Sequence, residues 1–264
     1  MEIVVLGSGG AFRLPYPSCH CANCEAARRD PSERRTTTSL WLPAGGSILL
    51  DAGPDLYHQA LREGLEHIDG IFLTHAHRDH ALGLECVETF VRYGRQGQAM
   101  PVYGAAEALA EVSRQFGYLL RLGLVELRPL EPAQRVEFAG YRLTPFPVWH
   151  HHIATFGYRV EQGGHSIVYC PDIKALPGGE PLEQAPLPAA MVGADLFFVD
   201  GTFDDTTWVG PGHISWQAAA RLGERSGAQR IVLIHISHRV DLSLLRASVG
   251  DRLLEGHDGQ RFIL

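Results

Sequence analysis

The sequence predicts an α/β fold built as one domain, and three observations carry that expectation. Short runs rich in Val, Ile and Leu alternate with helical stretches and Gly/Pro turns along all 264 residues. No internal repeat and no low-complexity linker interrupts the alternation. Metal-competent side chains follow several of the apolar runs directly, at the strand ends where open α/β sheets carry their sites. The length gives ample material for a core, and the Pro/Gly-rich stretch 177–188 reads as a loop inside one domain.

In chain order, residues 2–6 (EIVVL) read as a strand ending at Gly7, Gly9 and Gly10, and 38–42 with 47–51 read as a hairpin across Pro43–Gly46. A helix is expected at 55–64, then a buried strand at 70–74 (GIFLT) running into a histidine-rich loop. Leu109, Val112 and Phe116 share one face of a helix over 104–117. Strand patterns follow at 124–128, 141–147, 156–161 and 165–170, and two more buried strands at 195–200 and 230–235 flank a helix over 214–226.

Composition removes several functions. Hydrophobic content of 45% and charged content of 20% are ordinary for a globular chain. A net charge of −7 with no basic run argues against nucleic acid as a partner. Apolar runs stop well short of a membrane span, and MEIVVLGSGG lacks the features of a signal peptide. A cytoplasmic location with no membrane partner is therefore expected, and a homodimer is an open expectation that no residue argues for. Five cysteines in a reducing compartment are more readily metal ligands or buried thiols than disulfides.

Chemistry concentrates in two places. After GIFLT comes HAHRDH, which sets His75, His77, Asp79 and His80 within six positions. In an extended loop the alternate residues His75 and His77 point the same way, and Asp79 and His80 can serve a second position as the chain turns into a helix. Further candidates follow later strands: His150, His151 and His152, then Asp172, then His235 and His238. The second place is YPSCHCANC at 16–24, where Cys19, Cys21 and Cys24 are one ligand short of the tetrahedral set that structural zinc prefers.

The run LTHAHRDH, with LLDAG at 49–53 ahead of it and His, Asp and His behind it, resembles the signature of the metallo-β-lactamase superfamily. That resemblance implies an αββα sandwich with two divalent metal ions, zinc or manganese, at one edge. Residue by residue it implies His75, His77 and His151 around one ion, Asp79, His80 and His235 around the other, and Asp172 bridging. His150 is the alternative to His151. Within the superfamily the chain resembles the phosphoribosyl 1,2-cyclic phosphate phosphodiesterases of the carbon–phosphorus lyase pathway through GSGGA, CHCANC, HAHRDHALGL, PVYG, TFGY and LIHISH. That resemblance implies His238 as the fourth ligand of a structural zinc with Cys19, Cys21 and Cys24, in a loop at about 16–38.

It also implies His213, in GPGHIS, as general acid or phosphate contact, so His213 and Asp79 are the expected catalytic residues. The implied activity is hydrolysis of a small phosphodiester by a water activated between two metals. A second resemblance, through GADLFFVDGTFDDTTW and GHIS, is to the pyrroloquinoline-quinone biosynthesis proteins B, which implies a cofactor-biosynthesis role. A tRNA 3′-processing nuclease is a third expectation. Asp51 is expected to orient a metal-binding histidine, and Arg34 and Arg35 are weighed as phosphate contacts against a solvated turn.

Overall fold

In the computed structural model residues 1–206 and 210–264 are described; Thr207 and Trp208 of the second resembling segment lie outside them. The described chain forms β1 (Glu2–Gly7), β2 (Ser39–Leu42), β3 (Ile48–Leu50), β4 (Gly70–Phe72), β5 (Met100–Ala105), β6 (Val125–Leu130), β7 (Val136–Phe138), β8 (Tyr141–His150), β9 (Ile153–Gln162), β10 (His165–Cys170), β11 (Leu196–Asp200), β12 (Arg230–Ile234), β13 (Leu253–Glu255) and β14 (Arg261–Ile263). They make two seven-stranded sheets, ordered β14-β1-β2-β3-β4-β5-β6 and β13-β12-β11-β10-β9-β8-β7.

The inner strands of both sheets, such as β1, β3, β4, β10, β11 and β12, are buried on both faces, as strands sandwiched between helices and a second sheet must be. Along β1, Ile3 and Val5 face the opposite sheet with Leu40, Tyr158, Phe198 and Val232. Val4 and Leu6 face outward, under Leu56 of the helix Leu56–Glu63 and Leu109 and Val112 of the helix Ala106–Arg121. On the far side, Trp216, Ala219 and Leu222 of the helix Trp216–Ser226 cover Phe197 and Leu233. The result is the αββα sandwich, one domain with a metallo-β-lactamase fold.

Several elements differ from the sequence expectation. The helix expected from 104 begins at Ala106, because Met100–Ala105 is strand β5, whose Pro101 and Gly104 hide its strand pattern. The helices Ala22–Arg29 and Leu242–Ser248 and the three-residue strands β7, β13 and β14 carry too few apolar positions to show a period.

In each sheet a run of parallel strands, β3 to β6 and β10 to β13, ends at one shared edge. Asp51 follows β3, His75 lies just beyond β4, Asp172 beyond β10, Asp200 ends β11 and His235 follows β12. Backbone strain collects there too. Of seven non-glycine residues with positive φ among those described, Arg13, Asp51, His151 and His235 stand around this edge, where strain is held in place by surrounding structure.

Candidate metal centre

Four of the ligand-type histidines, His75, His80, His150 and His235, are each aimed by a hydrogen bond at Nδ1. His80 Nδ1 donates to Asp51 Oδ2 at 2.7 Å. His75 Nδ1 meets the Thr74 hydroxyl at 2.9 Å, which in turn donates to Asp51. His150 Nδ1 donates to the Gly212 carbonyl at 2.6 Å, and His235 Nδ1 donates to Thr202 Oγ1 at 2.7 Å. These partners accept the Nδ1 proton, so every Nε2 carries its lone pair inward. Asp51, fully buried at φ +63°, also accepts from the Tyr169 hydroxyl at 2.9 Å and so works as the hub expected of it. Gly53 follows because a Cβ there would stand 2.2 Å from the Asp79 carbonyl oxygen.

The inward donors form two groups that share Asp172. In the first, His75 Nε2 and His150 Nε2 lie 3.0 and 3.2 Å from His77 Nδ1, and 3.4 and 3.3 Å from Asp172 Oδ2. In the second, Asp79 Oδ2 lies 3.2 Å from both His80 Nε2 and His235 Nε2, and Asp172 Oδ1 lies 3.2 Å from His235 Nε2. Donors set tetrahedrally around a divalent ion at ordinary nitrogen and oxygen bond lengths stand about 3.3–3.4 Å apart. His80 Nε2 and Asp172 Oδ1 are buried, and neither makes a hydrogen bond despite these near neighbours. Buried polar atoms are rarely left so. Lone pairs that converge on common points, and not on one another's protons, fit two cations.

At one expected position the structure brings a neighbouring histidine into the group. The ring that joins His75 and His77 belongs to His150, not His151. Strands β8 and β9 pair as far as His150 opposite Ile153, which makes His151 and His152 the two residues of the hairpin turn. His150 ends β8 pointing inward, 1% exposed, whereas His151 adopts φ +51° and lies half-buried at the lip, its ring 5.8 Å from that of His77 and 6.1 Å from that of His213. Metal titration should separate the two: His150→Ala loses affinity by well over the 10–100-fold typical of groups that only orient ligands, while His151→Ala keeps its ions.

His213 sits over the second donor group, stacked on the His235 ring at 5.1 Å and facing the His150 ring at 4.8 Å. Its Nδ1 lies 2.9 Å from Asp200 Oδ2, and Thr202 Oγ1 donates to the other oxygen of that carboxylate at 2.6 Å. Burial opposes charge on His213, but the buried Asp200 carboxylate outweighs it and pushes the imidazolium pKa up to about 9. Asp200 ends DLFFVD in the same strand-end pattern as the ligand-type residues, which is the signal the sequence offers for it.

Residues 47–236 match the family model described as a beta-lactamase superfamily domain. The chain belongs to the beta-lactamase superfamily. Among solved structures, this superfamily member is similar to a diphosphatase of the PhnP family, at 28% identity and a TM-score of 0.84 over 100% of this chain and 97% of that one. It is also similar to zinc-bound PqqB from Methylobacterium extorquens, at 25% identity and 0.83 over 100% of both. A ribonuclease Z of Bradyrhizobium sp. strain ORS 278 is 28% identical over 79% of this chain and 86% of its own. An octanoyltransferase of Porphyromonas gingivalis is 26% identical over 100% of this chain, which spans about half, 52%, of that relative's length.

The superfamily member carries a second donor group away from this centre. Cys19, Cys21, Cys24 and His238 bring their ligand atoms within 4.8 Å of one another. Cys21 Sγ lies 3.7 Å from His238 Nδ1, near the separation of about 3.6 Å that a thiolate and an imidazole take around one zinc ion. Asn23 Nδ2 fixes the arrangement by donating to the carbonyls of His238 and Val240 at 3.1 and 2.7 Å. All five cysteines are free thiols. Burial pushes the Cys24 thiol up to about 11, so a cation is what would hold it as thiolate. Among the described residues no helix is long and apolar enough to cross a membrane.

Proposed function

We propose that this protein is a metal-dependent phosphodiesterase acting on a small, cyclic or nucleotide-like phosphodiester. What carries the reading is the pair of donor groups sharing Asp172 and opening beside His213. His75, His77, His150 and Asp172 would hold one divalent ion, zinc or manganese, and Asp79, His80, Asp172 and His235 the other; a structural zinc would occupy the cysteine group. Such ions supply Lewis acidity toward phosphoryl oxygens and acidify water.

The remaining chemistry belongs to the chain's own groups. Water oxygen forms a new P–O bond as one ester P–O bond breaks, and the departing alkoxide needs a proton. His213 supplies it from Nε2, because Asp200 occupies Nδ1 and holds the ring in place. Asp200 is a positioning residue, and Thr202 couples it to His235. His151, at the lip, is available to a phosphoryl oxygen. The net charge of −7 favours a small substrate over a polynucleotide.

The test is hydrolysis of bis(p-nitrophenyl) phosphate by metal-free protein reloaded with manganese or zinc. Turnover should require the added ion, vanish in Asp79→Ala, and fall by about 10²–10⁴-fold in His213→Ala. A second reading, a role like that of PqqB, is favoured by the whole-length similarity to that protein. Absence of turnover from protein shown to hold both ions, together with oxygen consumption, would replace the first reading with the second.

A further inference from the structure

A cleft of about 290 Å³ opens directly on His213 and His235, near the lower end of the roughly 300–1,000 Å³ typical of ligand pockets. Its wall is mainly carbon. Phe203, its ring 6.0 Å from that of His213, lines it together with Phe12 and Tyr16 of the loop 10–16. Phe12 is the one exposed phenylalanine of eleven, at 68%.

That exposure is built into a held loop. Arg13 adopts φ +62° with its Nε 2.7 Å from Asp55 Oδ2, and Leu14 and Arg35 exchange backbone hydrogen bonds at 2.9 Å in both directions. The Phe12 ring meets Tyr16 edge-on at 5.5 Å. Tyr16 in turn stacks on His238 at 5.5 Å and donates its N–H to Cys24 Sγ at 3.3 Å. The cysteine–histidine group therefore braces one wall of the cleft. What sets Phe12 apart from other exposed apolar side chains, such as Leu61 and Ile263, is its place in the wall of a cleft that also holds His213 and His235.

We infer that the cleft receives a flat aromatic group carried by the phosphate ester, so that the substrate class is an aromatic, nucleobase-like phosphoester and not a bare sugar phosphate. The inference rests on the hydrolase reading for where the phosphate sits. The exposed Phe12 ring offers a stacking surface of the kind that bases use, and His213, in the same cleft, places the scissile oxygen. Stacking one base on an aromatic side chain strengthens binding by about 5- to 150-fold.

The experiment is calorimetric titration of manganese-loaded protein with two probes, AMP and ribose 5-phosphate, which differ by the base. AMP should bind at least about fivefold more tightly. Phe12→Ala should bring AMP to the level of ribose 5-phosphate, and Phe12→Trp should restore the gap; an exposed ring can be exchanged without unfolding the chain. Equal affinities, no binding of AMP, or a preference untouched by Phe12→Ala overturns the inference. Turnover of bis(p-nitrophenyl) phosphate on the same preparation keeps the two claims apart. Turnover without base preference sinks the cleft alone, and base preference without turnover upholds the cleft and sinks the hydrolase reading.

Discussion

Asp172→Asn is expected to release both active-site ions and lower phosphodiester turnover by at least about 10³-fold, beyond the 10–100-fold typical of groups that only orient ligands. Asp172 is 2% exposed, and its two oxygens reach both donor groups: Oδ2 to His75, His80 and His150 at 3.3–3.4 Å, Oδ1 to His235 at 3.2 Å. An amide of the same shape removes the charge and turns one oxygen into a proton donor aimed at histidine lone pairs. Burial opposes ionisation of Asp172, but the neighbouring His235, His80 and His150 outweigh it and hold the carboxyl well below its usual range, so it reaches neutral pH ready to ligate. Asp51→Asn is the comparison. It touches the donor groups only indirectly, through the far nitrogen of His80 and through the Thr74 hydroxyl that aims His75, so a loss of about 10–100-fold is expected there. Metal analysis and turnover on both variants decide it. Equal losses would mean that Asp172 does not bridge, and any ion bound by the proposed cysteine group should survive both changes.

The contrast between these two aspartates marks what the sequence carries well. Candidate ligands that follow a strand with alternating side chains, such as His75 and His77, are legible because strand periodicity places them. Asp172 and His235 share that logic. The choice between His150 and His151 turned on the length of a hairpin, and only the pairing of His150 with Ile153 reveals that the strand runs to its last inward residue. Tertiary position hid more. Arg35 sits in a run, ERRTTTS, that resembles a solvated turn or a phosphate contact, and it is neither: its side chain is 1% exposed. Phe12 in GAFRLP reads as an ordinary loop residue until a cleft is seen beside it. In each case the missing information is which distant segment packs against the residue, and local pattern does not encode that.

Arg35 supplies the other large effect, on stability. Its guanidinium pairs with Glu255 and donates to Ser8 Oγ at 2.8 Å and to the Gly256 carbonyl, joining the segment before β2 to the end of β13. Breaking a buried ion pair from one side typically costs about 3–5 kcal/mol, so Arg35→Met should lower unfolding free energy by that order and loosen the Leu14–Arg35 contact that holds the Phe12 loop. Glu255 sets the pH dependence. Burial raises its pKa, but hydrogen bonds from His257 and Arg246 and the charge of Arg35 outweigh this and bring it down to about 2. A folded pKa depressed below the unfolded one, about 4.3, gives stability that is full above the unfolded value and is lost as pH falls toward 2. The contribution is on the order of 3 kcal/mol, at 1.36 kcal/mol per pKa unit. Denaturant unfolding of metal-free wild type and Glu255→Gln, compared between pH 7 and pH 3, should show the gap between them shrinking by more than half. A gap that stays constant over that range would mean that the Glu255 carboxylate is not held by these cations. Arg35→Met combined with Glu255→Leu should recover much of the single-variant loss, because the cost lies in leaving one buried charge without its partner.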